Sequence, residues 1–126
     1  MNFPSNLKYT ASHEWVEVLS ETSIKVGLTA YATDQLGDVV FINLPEVGDD
    51  VTVEESFSDI ESVKAVSDII SPATGSISAI NENLADNPGA INADPYEEWL
   101  VEIGDISELG QLLSPEEYQE LLAKGA

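Results

Sequence analysis

Apolar and polar positions alternate over short stretches along most of this chain, and glycine or proline separates the stretches. Ser23 to Leu28 sets Ile24, Val26 and Leu28 two residues apart, the period of a strand buried on one face. Leu7 to Val18 reads as one strand with Tyr9, Trp15, Val16 and Val18 among polar residues, and Ser20-Glu21-Thr22 as the turn after it. Asp38 to Leu44 is strongly apolar through Val39, Val40, Phe41 and Ile42, and Pro45 stops it ahead of a Glu46-Val47-Gly48-Asp49 turn. Val51 to Val53, Phe57 to Ile60, Val66 to Ile70, Gly75 to Ile80 and Trp99 to Ile103 are the remaining predicted strands. Glu61 to Ala65 reads as a tight turn, and Pro72 and Gly75 bracket another.

Helical signals are few and local. Thr29 to Leu36 predicts a short helix, with Thr29 as its cap and Gly37 at its end. Asn81 to Ala90 mixes Asn, Asp, Pro and Gly, which predicts a loop with a helical turn at Glu82 to Ala85. Ser114-Pro115-Glu116-Glu117 is a helix start: serine caps, proline stands first, and Glu117 closes a capping box. Tyr118, Leu121 and Leu122 give that helix an apolar side. Many short strands with turns between them predict a mainly β flattened barrel or sandwich flanked by short helices. Gly37 to Val53 and Gly75 to Ile91 share an order of glycine, alternating strand, turn and apolar residue, a hint of two quasi-repeated halves.

Composition narrows the function. The 126 residues suit one domain, taken here as residues 1–126, with enough apolar content for a core. No apolar run approaches the ~20 residues that span a bilayer, and the start of the chain has neither a signal nor a transit pattern. Lys and Arg total 4 against 24 Asp and Glu, a net charge of −20, and there is no arginine. Such a chain repels nucleic acid and anionic membrane, and favours brief encounters with basic protein surfaces. Cysteine is absent, which removes disulfides, zinc–thiolate sites and cysteine nucleophiles together. A cytoplasmic monomer is the expectation, or a protein of the mitochondrial matrix if a transit peptide has been removed.

Catalytic constellations are hard to build. His13 is the sole histidine, so neither a triad nor a paired-histidine metal site forms around it. No nucleophile elbow, phosphate loop or dinucleotide fingerprint occurs. Carboxylates are so many that pairing two of them means little, and nothing marks a pocket for a glycosidase pair. Lysine is more informative. Between residues 26 and 123, Lys64 is the only basic residue. It stands between small neighbours, Val63 and Ala65, where two strand patterns meet. There it is either a solvated lysine offsetting Glu61 and Asp68 or an accessible amine for acylation.

A resemblance separates these two. The run Gly37-Asp38-Val39-Val40-Phe41-Ile42-Asn43-Leu44-Pro45-Glu46-Val47-Gly48, then Glu61-Ser62-Val63-Lys64-Ala65-Val66-Ser67-Asp68 and Ser71-Pro72-x-x-Gly75, closely resembles the H proteins of the glycine cleavage system. Ser12-His13-Glu14-Trp15-Val16, Asn92-x-Asp94-Pro95-Tyr96 and Trp99-Leu100 add to it, so the likeness runs from about Leu7 to Leu122. It implies a lipoyl-domain fold and a non-enzymatic carrier. Lys64 would bear covalently attached lipoate, with Glu61, Val63 and Ala65 flanking it at the attachment site. The Asp-Lys-Ala of 2-oxoacid dehydrogenase lipoyl domains and the Met-Lys-Met of biotin carriers are both missing.

The partners implied are a glycine decarboxylase, an aminomethyltransferase, dihydrolipoamide dehydrogenase and a lipoate-attaching enzyme. An H-like carrier or lipoate relay in another lipoyl-dependent pathway is the alternative. The family's arm folds into a cleft whose residues match Ser12, Glu14 and Asp68; the competing view makes the two acids ordinary surface charges. His13 and Trp15 are read as packing around the first strand. One departure stands out: only Glu97 and Glu98 separate Pro95-Tyr96 from Trp99, a shorter and more acidic loop than the family's usual one.

Overall fold

A computed structural model describes residues 3–125. The strands are β1 (Lys8–Tyr9), β2 (Glu14–Ser20), β3 (Ser23–Leu28), β4 (Val39–Asn43), β5 (Asp50–Val51), β6 (Ser56–Ser62), β7 (Val66–Ile70), β8 (Ala73–Ile80) and β9 (Val101–Leu109). The helices are α1 (Ala30–Leu36), α2 (Asn83–Asp86), α3 (Ala90–Ala93) and α4 (Pro115–Ala123). One sheet orders six strands as β1-β2-β3-β9-β8-β5, and the second orders three as β4-β6-β7. Every pairing is antiparallel.

The two sheets close on one core. Val16, Ile24, Val26, Ile77, Val101 and Ile103 of the larger sheet meet Val39, Ile42, Ile60 and Ile69 of the smaller one, all of them buried. At about 25 cal/mol per Å² of apolar surface removed from water, side chains of this kind stabilise by roughly 1.5–3 kcal/mol each. A second cluster joins Tyr9, Trp15 and Tyr118, and the rings of Tyr9 and Tyr118 stack at 4.9 Å. That cluster fastens α4 to the first hairpin. The capping box at α4 is formed as expected, with Ser114 accepting from the Glu117 N–H and Glu117 accepting from the Ser114 N–H. Thr29 caps α1 by accepting from the Ala32 N–H.

Four local expectations change. The strand over Leu7 to Val18 is a hairpin: Thr10 to His13 turns the chain, so that Lys8 pairs with Val16 and Tyr9 with Trp15. Polar Thr10, Ser12 and His13 interrupt the apolar pattern there, and His13 takes φ 75°. Gly75 lies within β8 and not at a turn, because β9 comes so near that an added Cβ would stand 2.5 Å from the Gly104 carbonyl oxygen. The last strand runs to Leu109, held by Thr74–Glu108 and Ala73–Leu109 pairing although its outer half is largely exposed. Residues 90–93 form a one-turn helix, α3, pinned by the buried Ile91. The two similar stretches end differently: Val53 is half-buried in a turn, and Ile91 is buried in a helix.

Candidate functional site: a lysine hairpin beside an acidic cleft

Lys64 stands at the tip of the β6–β7 hairpin. Glu61 pairs with Val66 in the last rung, and residues 63–65 make the turn. Ser62 organises that turn: its Oγ accepts from the N–H groups of Lys64 and Ala65 at 3.2 Å each and donates to the Ala65 carbonyl at 3.1 Å. The Val63 N–H reaches across to the Asp38 carbonyl at 3.0 Å, which fixes the tip to the segment before β4. Every residue from Val63 to Val66 is exposed, and Glu61 is too. The predicted attachment residues therefore lie together in solvent.

The lysine stem rests on Gly37, the residue that ends α1. A Cβ built on Gly37 would lie 3.2 Å from Lys64 Cε, and the glycine holds φ 73°. A residue with a side chain would meet both the steric limit of the left-handed region and the lysine itself.

Next to the hairpin opens a cleft of about 400 Å³. Leu28, Ala32, Leu36 and Ile69 give it apolar walls, and Ala65 and Val66 bring it to the foot of Lys64. Ser12, His13, Glu14 and Asp68 supply its polar side, so the three cleft residues expected from the sequence do share one cavity. Asp68 and Ser12 are exposed. Glu14 is not the surface acid of the competing view, since only 1% of it is exposed. Its Oε1 accepts from the hydroxyls of Thr10 and Ser12 at 2.6 Å each, and its Oε2 accepts from the Ile70 N–H at 3.4 Å. Burial pushes the Glu14 carboxyl above its ordinary value, against the opposing pull of the Ser12, Thr10 and Ile70 hydrogen bonds. A second cleft of about 390 Å³ shares Ser12 and Glu14 but is walled by Glu54, Ser71 and Gln111, and it holds no residue of the lysine turn.

Trp15 packs as expected: it is buried, and its Nε1 donates to the Pro95 carbonyl at 2.9 Å. His13 does more than pack. It lies on the cleft rim, its Nδ1 is 2.8 Å from the Tyr118 hydroxyl, and burial lowers its pKa. Sequence reasoning missed Thr10 and Ser62, which hold the Glu14 carboxylate and the main chain of the Lys64 turn in place. Their signal was hydroxyls four residues before Glu14 and two before Lys64, each within reach of a local hydrogen bond.

The arrangement does not resemble an enzyme site. A sandwich that holds out one lysine on a hydroxyl-pinned turn beside a cleft has the architecture of a lipoyl-domain type of carrier. Comparison with known proteins gives the family. The family model for the glycine cleavage H-protein matches residues 7–125, and the chain belongs to that family. It is 53% identical over 124 residues to the glycine cleavage system H protein of Lachnoclostridium phytofermentans, spanning 98% of both chains. With the protein of the same name from Kocuria rhizophila it shares 51% over 125 residues, covering 96% of this chain and 98% of that one. The crystal structure of the glycine cleavage system H protein of Mycobacterium marinum superposes with a TM-score of 0.88 at 38% identity, covering 98% of this chain and all of that one. The chain is thus a carrier without catalytic activity of its own. Among the described residues no helix is long and apolar enough to cross a membrane.

Proposed function

We propose that this chain carries lipoate on the Nζ of Lys64 and shuttles the aminomethyl group of glycine from a glycine decarboxylase to an aminomethyltransferase, after which dihydrolipoamide dehydrogenase reoxidises it. The dithiolane supplies the sulfur chemistry when bound, and the chain itself has no cysteine to divert it. The observation that carries this reading is the pairing of an exposed lysine turn with a cleft that begins at its foot and ends at a buried carboxylate.

The residues divide the work. The Ser62 and Asp38 contacts stiffen the turn, so a lipoate-attaching enzyme meets a preformed tip. Glu61, Val63 and Ala65 flank the amine without covering it. Leu28, Ala32 and Leu36 offer apolar surface to a folded-back arm. Glu14 and Asp68 attract an amine cation brought into the cleft, and Ser12 adds a hydroxyl acceptor. Glu14 is the stronger attractor because a charge held out of water acts through a lower effective dielectric. Tethering keeps the arm at high local concentration at each docked enzyme. The place of action on this reading is the cytoplasm, or the mitochondrial matrix where a transit peptide has been removed.

Intact mass after incubation with a lipoate-attaching enzyme, lipoate and ATP tests the attachment. The wild type should gain one lipoyl group. Lys64→Ala should gain none while melting within about 1 °C of wild type, as an exposed residue predicts. An unmodified wild type, or a lipoylated Lys64→Ala, would overturn the assignment. Stimulation of glycine–bicarbonate exchange by the decarboxylase separates glycine cleavage from another lipoyl-dependent pathway, and the names of the relatives favour glycine cleavage.

A further inference from the structure

The motif Asn92-x-Asp94-Pro95-Tyr96 has no part in the function described so far, yet it reaches the machinery from behind. We propose that Asn92 and Tyr96 are positioning residues that clamp α1 at both ends, and so hold the lysine turn and the arm cleft in register. The proposal rests on Lys64 being the acylated residue.

The helix in question needs outside support. It has seven residues, with no acid in its first turn and no base in its last. An isolated helix of this length is unstable in water, because nucleation costs more than one or two turns return. Nevertheless α1 supplies Tyr31, Ala32, Gln35 and Leu36 to the cleft, and its terminal Gly37 lies beneath the Lys64 stem. A shift of this helix would move the cleft wall and the seat of the lysine together.

One short stretch, from α3 into the loop after it, holds it at each end. At the start of α1 the Ala30 N–H, one of the donors a helix leaves unpaired, donates to the Tyr96 hydroxyl at 3.2 Å. At the far end Asn92 makes two bonds: its Nδ2 donates to the Gly37 carbonyl at 2.8 Å, and its Oδ1 accepts from the Val39 N–H at 2.9 Å. Asp38 stands between those two residues and accepts the Val63 N–H of the lysine turn. The path from Asn92 to Lys64 is therefore continuous: Asn92 fixes Gly37 and Val39, these fix the Asp38 carbonyl, and that carbonyl fixes Val63. Only a side chain with a donor and an acceptor side by side serves both bonds. Aspartate keeps the acceptor and loses the donor. The loop is itself anchored, through Trp15 on the Pro95 carbonyl and through Glu98, which accepts from Asn83 Nδ2 at 2.9 Å. The short acidic Glu97-Glu98 stretch thus contributes an anchor for the clamp.

The test uses the full chain and two readouts. Loosening the backing of the turn lowers the fraction of molecules that present Lys64 correctly, which raises KM for the attaching enzyme and leaves kcat unchanged. In Asn92→Ala, which loses both part-buried bonds, we expect KM to rise ~10-fold and the Val39 and Val63 amides to exchange with solvent ~10-fold faster, on the scale that such hydrogen bonds contribute. Asn92→Asp, which keeps the bond to Val39, should fall between the variant and wild type. Ile103→Val, a lost core methyl group in the larger sheet, controls for general destabilisation and should change neither readout. KM and amide exchange in Asn92→Ala equal to those of Ile103→Val would overturn the proposal. If Asn92→Ala does not fold, Asn92→Asp decides: a raised KM supports the clamp, and a wild-type KM with wild-type exchange overturns it. If the wild type itself takes no lipoyl group, the lipoyl reading fails, and the Val39 and Val63 exchange rates alone judge the clamp.

Discussion

In the turn that carries Lys64 the Ser62 hydroxyl holds the main chain and leaves the lysine side chain in water, whereas in the niche of Glu14 the hydroxyls bind the carboxylate itself and take it out of water. The contrast follows from what meets each group. On the proposed function a macromolecule must reach the lysine nitrogen, so the amine needs access, and rigidity has to come from bonds to the main chain around it. On the proposed function a small cation meets Glu14, so the carboxylate gains from a low dielectric, provided neutral donors satisfy it while the cleft is empty. Among the described residues no buried polar side-chain atom lacks a partner, so the burial of Glu14 leaves no unmet hydrogen bond behind.

Changing the seat of the lysine should give the largest effect on stability. Gly37→Ala places a Cβ residue at φ 73° and ψ −159°, a region nearly exclusive to glycine, which costs about 1–3 kcal/mol. Its new methyl group would also stand 3.2 Å from Lys64 Cε and push the stem aside. Thermal unfolding should show a loss of several degrees, and lipoylation should slow even under conditions where the protein is fully folded. A variant as stable as wild type would mean that α1 ends equally well on a non-glycine residue.

Ser62→Ala addresses the turn itself and should act more weakly. It removes one acceptor shared by two N–H groups, and exposed bonds of this kind contribute about 0.5–1.5 kcal/mol. Faster amide exchange at Lys64 and Ala65, with the core of β8 and β9 unchanged, is the expected signature. Uniform exchange across the chain would show that the strands alone hold the turn.

The two regions also differed in how far the sequence revealed them. The lysine turn was legible because Val63 and Ala65 are small, two alternating stretches meet there, and no other base occurs for many residues on either side. The resemblance pointed to Glu14, but its burial was hidden by the number of acids around it. One acid among 24 looks like surface, and only the turn made by Thr10 to His13 buries this one. Periodicity cannot show that turn, since the polar run reads as the outer face of a continuing strand until His13 takes a left-handed φ. Gly75 misled for the opposite reason: a glycine three residues after a proline signals a turn, but this one serves a close approach of two strands. The capped ends of α1 and α4 were legible because a cap depends on residues three apart and needs no tertiary knowledge.

Glu14→Gln gives the subtlest test, because it changes the slope of stability with pH more than stability at any one pH. Burial raises the Glu14 carboxyl in the folded chain above its unfolded value. The folded state therefore binds its proton more readily, and the contribution of Glu14 to stability is fully present below the unfolded pKa and lost as pH rises through the folded one. The remaining carboxylates cancel when variant and wild type are compared, since both chains carry them. Relative to wild type, Glu14→Gln should thus be least favourable in acid and improve as pH rises through the folded pKa of Glu14. A cation seated beside Glu14 favours the ionised form and pulls the other way, so an amine-bearing arm should flatten that slope in the wild type and leave it unchanged in the variant. Denaturant unfolding across that pH window decides it: parallel curves for the two proteins would place the carboxylate in water and remove the low-dielectric argument for its hold on a cation.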